Sequence, residues 1–101
     1  MDSMKGKVES VSEQNKGLKI GKNYLVRTVT MIYSGKLIAV YPTELVLTKA
    51  CWIAETDRWM QAVANSSFKE VEPYPPTAEV IIGRGSLLDM VQIKVLPIDQ
   101  K

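Results

Sequence analysis

Arg27, Arg58 and Arg84, together with Trp52, are the side chains here whose types could do chemistry: three guanidiniums able to grip an anion and one ring able to stack a base. Arg84 stands between Gly83 and Gly85. Glycines on either side let backbone N–H groups turn toward an anion, and the arginine between them can close a bidentate hold on a phosphate. Read blandly, the same tripeptide is a hairpin turn carrying a solvated arginine. Arg27 interrupts the apolar run YLVRTV, so its charge must reach an interface, a ligand or a carboxylate; Glu44, Glu70, Glu72 and Asp89 are the candidates for an internal pair. Trp52 and Trp59, with Arg58 beside the second, form an aromatic and cationic cluster. Trp59 falls in register with Met60 and Val63 as core, which leaves Trp52 as the ring for a ligand or an interface. Tyr33, Tyr41 and Tyr74, the last inside PYPP, read as interface rings.

The residue inventory excludes more chemistry than it suggests. The chain has no histidine and one cysteine, Cys51. A single copy therefore offers no serine or cysteine triad, no cysteine–histidine zinc site and no histidine proton relay. Glu70 and Glu72 sit two apart, on one face of a strand, with no nucleophile or oxyanion device near them in sequence. The expectation is a protein that binds without catalysing and needs no cofactor and no metal. Cys51, within an apolar strand, reads as buried and inert, and a lone thiol suits a reducing cytoplasm. The opening Met1-Asp2-Ser3 is unlike a signal peptide, and the longest apolar runs fall far short of the ~20 residues of a membrane helix, so no membrane partner is expected.

At 101 residues, 46% hydrophobic and 24% charged, the chain suits one small core. The net charge of +2 lies at one end: residues 1–22 carry five lysines against three carboxylates, and residues 23–101 hold eight basic and eight acidic groups. Residues 1–22 read as a flexible basic arm, and residues 23–101 as one β domain. YLVRTVTMIY reads as a first long strand, Ser34-Gly35 as a turn or bulge, KLIAVY as a second strand and LVLTKACWI as a third. Alternation puts Leu45, Leu47, Cys51 and Ile53 on one face of that third strand. ETDRWMQAVAN changes to helical spacing, with Thr56 as N-cap and a helix near 56–65. A short strand over 68–72 follows, then AEVIIG and SLLDMVQIKVL joined at Gly83-Arg84-Gly85. A domain this small covers its core incompletely, so a homo-oligomer is expected.

These elements describe a mainly β domain, a small and strongly bent barrel of five or six strands with one inserted short helix. YSGKLIAVYPTELVLTKA resembles the central hairpin of Sm-like (SH3-like) barrels, in which a glycine lets the second strand bend. The longer series from VRT through GKL, LVLTKACWI, DRW, EVEPYP and IIGRGSLLDM is similar to a family of small uncharacterised phage and prophage proteins. That resemblance implies the cytoplasm of an infected bacterium. By analogy of fold and context it implies an oligomer holding a nucleotide, such as an immune signalling nucleotide, or a short nucleic acid at subunit junctions, through Arg27, Trp52, Arg58 and Arg84. The alternative is an assembly component or an inhibitor that contacts a protein partner and takes no small ligand.

Overall fold

The computed structural model describes residues 17–101. Six antiparallel strands form one sheet: β1 (Asn23–Thr28), β2 (Ile32–Val40), β3 (Glu44–Glu55), β4 (Glu70–Pro73), β5 (Glu79–Gly83) and β6 (Leu87–Ile93), with helix α1 (Trp59–Asn65) between β3 and β4. The order is β4-β3-β2-β1-β6, and β5 also pairs with β3. β3 is long enough, at 12 residues, to serve two partners on one edge. Its first half pairs with β5, Glu44 to Thr48, and its second half with β4, Cys51 to Glu55.

The two halves diverge at a bulge. Lys49 adopts a left-handed backbone (φ 52°), and the register of β2 on β3 slips between Ser34/Cys51 and Lys36/Thr48. Gly35 fills the opposite side of this crossing. A Cβ there would lie 2.9 Å from Leu47 Cβ and 3.3 Å from the Thr48 carbonyl oxygen, so only glycine lets the strands come this close. The extra residue shifts the side-chain phase. Leu45, Leu47 and Ala50 join Tyr24, Val26, Leu37, Val40 and Ile82 in one core, whereas Cys51 and Ile53 join Leu25, Ala62, Phe68, Val71 and Ile93 in a second core on the other face. Simple alternation, which places Leu45, Leu47, Cys51 and Ile53 together, fails because a bulge counts two residues as one.

The sheet is curled. With β5 outside β3 and β6 outside β1, four strand spacings separate β5 from β6, roughly 19 Å if flat. Only the 3₁₀ turn Arg84–Ser86 joins them, and so short a link spans at most about 14 Å even when extended. The two margins must therefore bend toward each other. Among the described residues no ladder joins β5 to β6, so the sheet is not closed into a barrel.

The YLVRTVTMIY run is not one strand. It breaks after Thr28, whose hydroxyl donates to the Met31 carbonyl (2.8 Å) and accepts from the Met31 N–H (3.0 Å), fixing a turn over 29–31. Gly35 consequently lies inside β2 and not between strands. α1 is shorter than the sequence implied: seven residues, about two turns. Its N-cap is Arg58, with no side-chain cap bond, because Asp57 turns left-handed (φ 63°) and takes Thr56 out of capping position. Met60 is exposed, while Trp59, Ala62 and Val63 face the second core. Of the expected arm, residues 1–16 lie outside the described residues; Gly21 donates to the Leu37 carbonyl, and Lys19 N–H to the Tyr24 hydroxyl. No helix among the described residues is long and apolar enough to cross a membrane.

Candidate functional site

Arg27 is held by its own chain. Asp89 is its cross-strand partner, and the carboxylate takes both ends of the guanidinium, Nε at 2.8 Å on Oδ1 and Nη2 on Oδ2. The same guanidinium lies over the Trp59 ring, 4.4 Å from its centroid. These bonds hold the Arg27 pKa above its ordinary value and keep the Asp89 carboxyl below the usual carboxylate range. Of the four carboxylates weighed from sequence, Asp89 is the one taken. Trp59, assigned to core packing, has a second role as a platform for that charge, a pairing invisible until α1 docks against β6 and brings Trp59 to Arg27 on the neighbouring β1.

Trp52 lies on the opposite face of the sheet. Its neighbours Cys51 and Ile53 point into the helix-covered core, so by alternation Trp52 points away, 38% exposed. It stands in a row across three strands, with Tyr33 on β2 and Glu72 on β4 as direct partners. Tyr33 packs against Tyr74 with ring centroids 6.5 Å apart and donates its hydroxyl to Met31 Sδ (3.2 Å). Burial, then Tyr74, raises the Tyr33 phenol pKa. Tyr33 and Tyr74 are thus half-buried buttresses, and Tyr41 is exposed at the far end of β2. Arg27 and Trp52, on opposite faces, cannot clasp one ligand within a single chain. Glu72, directly opposite Trp52, also makes this ring a poor seat for a phosphate-bearing ligand.

Gly83-Arg84-Gly85 forms the link from β5 to β6. Neither glycine takes a positive φ, and a Cβ at either would meet nothing within 4 Å. The alternating backbone hands that turn several N–H groups toward one anion are absent from this turn. Its amide at Arg84 donates instead to the Thr43 carbonyl (3.0 Å), and Arg84 Nη1 to the Tyr41 carbonyl (3.3 Å), tying the link to the β2–β3 hairpin. Arg58 is exposed at the start of α1, on a shallow cleft of about 210 Å³ that Gln61, Ser67 and Lys69 also line. The six residues expected to bind a ligand therefore fall at four separate places: Arg27, Trp52, Arg58 and the Gly83-Arg84-Gly85 link.

Cys51 is buried and donates its thiol to the Pro97 carbonyl (3.1 Å); burial pushes its pKa up, with the Ser34 hydroxyl acting the other way. Glu70 and Glu72 share the face of Trp52, and Glu55 is the cross-strand partner of Glu70. Sequence reasoning treated the two glutamates as a failed acid–base pair and missed their company with Trp52, which depends on the register of β4. Among the described residues no group of three or more carboxylates and thiols could hold a metal ion. No family model matches the chain, and neither the curated proteins nor the solved structures contain a match to it.

Proposed function

We propose that this chain is a non-enzymatic interaction protein that assembles with itself through two open sheet edges. The observation that carries the reading is a contrast among edges. β4 is closed on its outer side by Lys101, which exchanges two backbone hydrogen bonds with Val71 (3.0 and 3.1 Å). Among the described residues β5 and β6 have no such cover. Unpaired strand edges are templates for another chain. Ile81 on β5 and Leu88 on β6, 61% and 66% exposed, add apolar surface to the same strands. Contact between two different edges is heterologous, so copies add head to tail and close into a ring where the rotation permits.

The short link from β5 to β6 also favours reading the curled sheet as a small, strongly bent Sm-like (SH3-like) barrel, with α1 and β4 inserted between β3 and β5. A nucleotide or short nucleic acid at subunit junctions is the second reading, favoured by Arg58 and Lys69 exposed on one cleft, where they outnumber its single carboxylate, Asp57. The likeness to phage proteins would make an immune signalling nucleotide the first candidate, in the cytoplasm of an infected bacterium.

Light scattering on freshly purified protein, then native mass spectrometry with release of bound small molecules, tests both. A closed oligomer that Ile81→Lys and Leu88→Lys reduce to monomer, with no released nucleotide, supports edge assembly. A monomer at all concentrations overturns it, and a released nucleotide moves the reading to the second.

A further inference from the structure

We infer that the exposed end of β3 and β4, on the face away from α1, is a docking surface for a basic segment of a protein partner, which lays an Arg or Lys side chain on Trp52 and within reach of Glu70 and Glu72. The inference goes beyond self-assembly and uses a different surface. Its first support is what is exposed. Trp52 and Met31, 38% and 40% exposed, lie beside Tyr33, which Tyr74 and Met31 hold in place. A fixed aromatic ring flanked by a soft thioether suits contact with another chain.

The second support is charge. Glu72 faces Trp52 directly, Glu70 lies two residues away on the same side, and Glu55 stands opposite Glu70. Like charges directly across a ladder repel. None of the three makes an ion pair among the described residues, and Glu72 has only the neutral Gln100 amide, at 2.7 Å. A cation relieves this arrangement; a phosphate or an acidic peptide worsens it.

The third support lies within the molecule. On the covered face a guanidinium rests over Trp59 while Asp89 grips it from the side. The end of the other face repeats two members of that set, a tryptophan ring and adjacent carboxylates, without the guanidinium. Charge complementarity and an internal example of the complete arrangement assign the missing member to a partner.

The test is titration of the full chain with a synthetic Arg-Gly repeat peptide, followed by amide chemical shifts and calorimetry at low and physiological salt. Saturable binding is expected, with shifts confined to β2 to β4 around Trp52. Trp52→Ala should weaken it about tenfold, Trp52→Phe should keep most of it, and the Glu70→Gln, Glu72→Gln pair should weaken it about fivefold and flatten its salt dependence. Cooperative melting of each variant well above the titration temperature keeps the result separate from unfolding. Three results would overturn the inference: no saturable binding, a Glu-Gly peptide or mononucleotide binding at Trp52 instead, or Trp52→Ala converting an oligomer to a monomer, which would give this face to a second copy.

Discussion

The two faces of the curled sheet use the same residue types to opposite ends. On the face under α1, Trp59, Arg27 and Asp89 satisfy one another, and around them Leu25, Cys51, Ile53, Phe68 and Val71 are almost fully buried. On the face away from α1, beyond the bulge at Lys49, Trp52 stands exposed beside carboxylates that form no ion pair among the described residues. The same tryptophan and carboxylate chemistry is structural where the chain supplies the third partner, and available for binding where it does not. The consequence is quantitative: equivalent changes on the two faces should differ sharply in their effect on stability.

The largest difference should come from truncating aromatic rings. Phe68, 4% exposed in the covered core, should cost about 3–5 kcal/mol on substitution by alanine, a large share of the roughly 5–15 kcal/mol that holds a domain together. Trp52→Ala removes a bigger but partly exposed ring from the other face and should cost clearly less, about 1–2 kcal/mol. Urea unfolding of both variants checks this. Comparable losses would mean that Trp52 is part of the fold, and the surface around it would lose its claim to bind a partner.

The bulge that separates the faces supplies the next effect. Gly35→Ala puts a Cβ against Leu47 and the Thr48 carbonyl, in a place where backbone has to move, and should destabilise by about 1–3 kcal/mol. Denaturant melts that leave this variant at wild-type stability would show that the crossing has room for a methyl group. Gly35 also marks how far the sequence could be read. The β-rich texture, the glycine bend, the helix ending at Asn65 and the last two strands with their short link were legible from residue types and punctuation, whereas the partners of those strands, β3 for β5 and β1 for β6, were not. The phase slip was not, because Lys49 in a left-handed conformation carries no local signal; the reason for it is across the ladder, at Gly35. The site was less legible still. Arg27 could be seen to need a carboxylate, but which one depends on β1 lying beside β6, 62 residues away, and the grouping of Trp52 with Glu72 depends on β4 docking after α1.

A smaller effect distinguishes the paired carboxylate from the unpaired ones. Arg27 lowers the pKa of Asp89 in the folded state, so the pair adds stability above the unfolded carboxylate pKa of ~3.9 and loses it as the pH falls through the lower folded value. Asp89→Asn should therefore melt below wild type at neutral pH and converge with it near pH ~2. Glu70→Gln should show no such loss at neutral pH, and relief of repulsion from Glu55 should make it equal or slightly better. Both side chains of the Arg27 pair are largely solvent-exposed, 40% and 48%, so the neutral-pH difference should stay below that of Gly35→Ala. Thermal melts across pH decide it, and parallel curves for Asp89→Asn and wild type would break the distinction.

The smallest effect sets the two glycine-bearing bends side by side. Gly35 and Gly85 look alike in sequence, each a glycine beside a change of strand direction. Around Gly85 a Cβ meets nothing within 4 Å, and its backbone is not left-handed. Alanine there removes freedom from the unfolded chain at no steric cost, so Gly85→Ala should stabilise by about 0.4–1 kcal/mol, opposite in sign to Gly35→Ala. The result also bears on chemistry. A turn built to wrap its backbone around a phosphate depends on glycine, and alanine in it would lower both stability and any affinity for anions. A turn that only links β5 to β6 through the Thr43 and Tyr41 carbonyls tolerates the methyl group. Chemical denaturation of Gly85→Ala, with and without inorganic phosphate, separates the two: a gain independent of phosphate makes Gly83-Arg84-Gly85 a connector, and a loss of phosphate-dependent stability would restore it as an anion site.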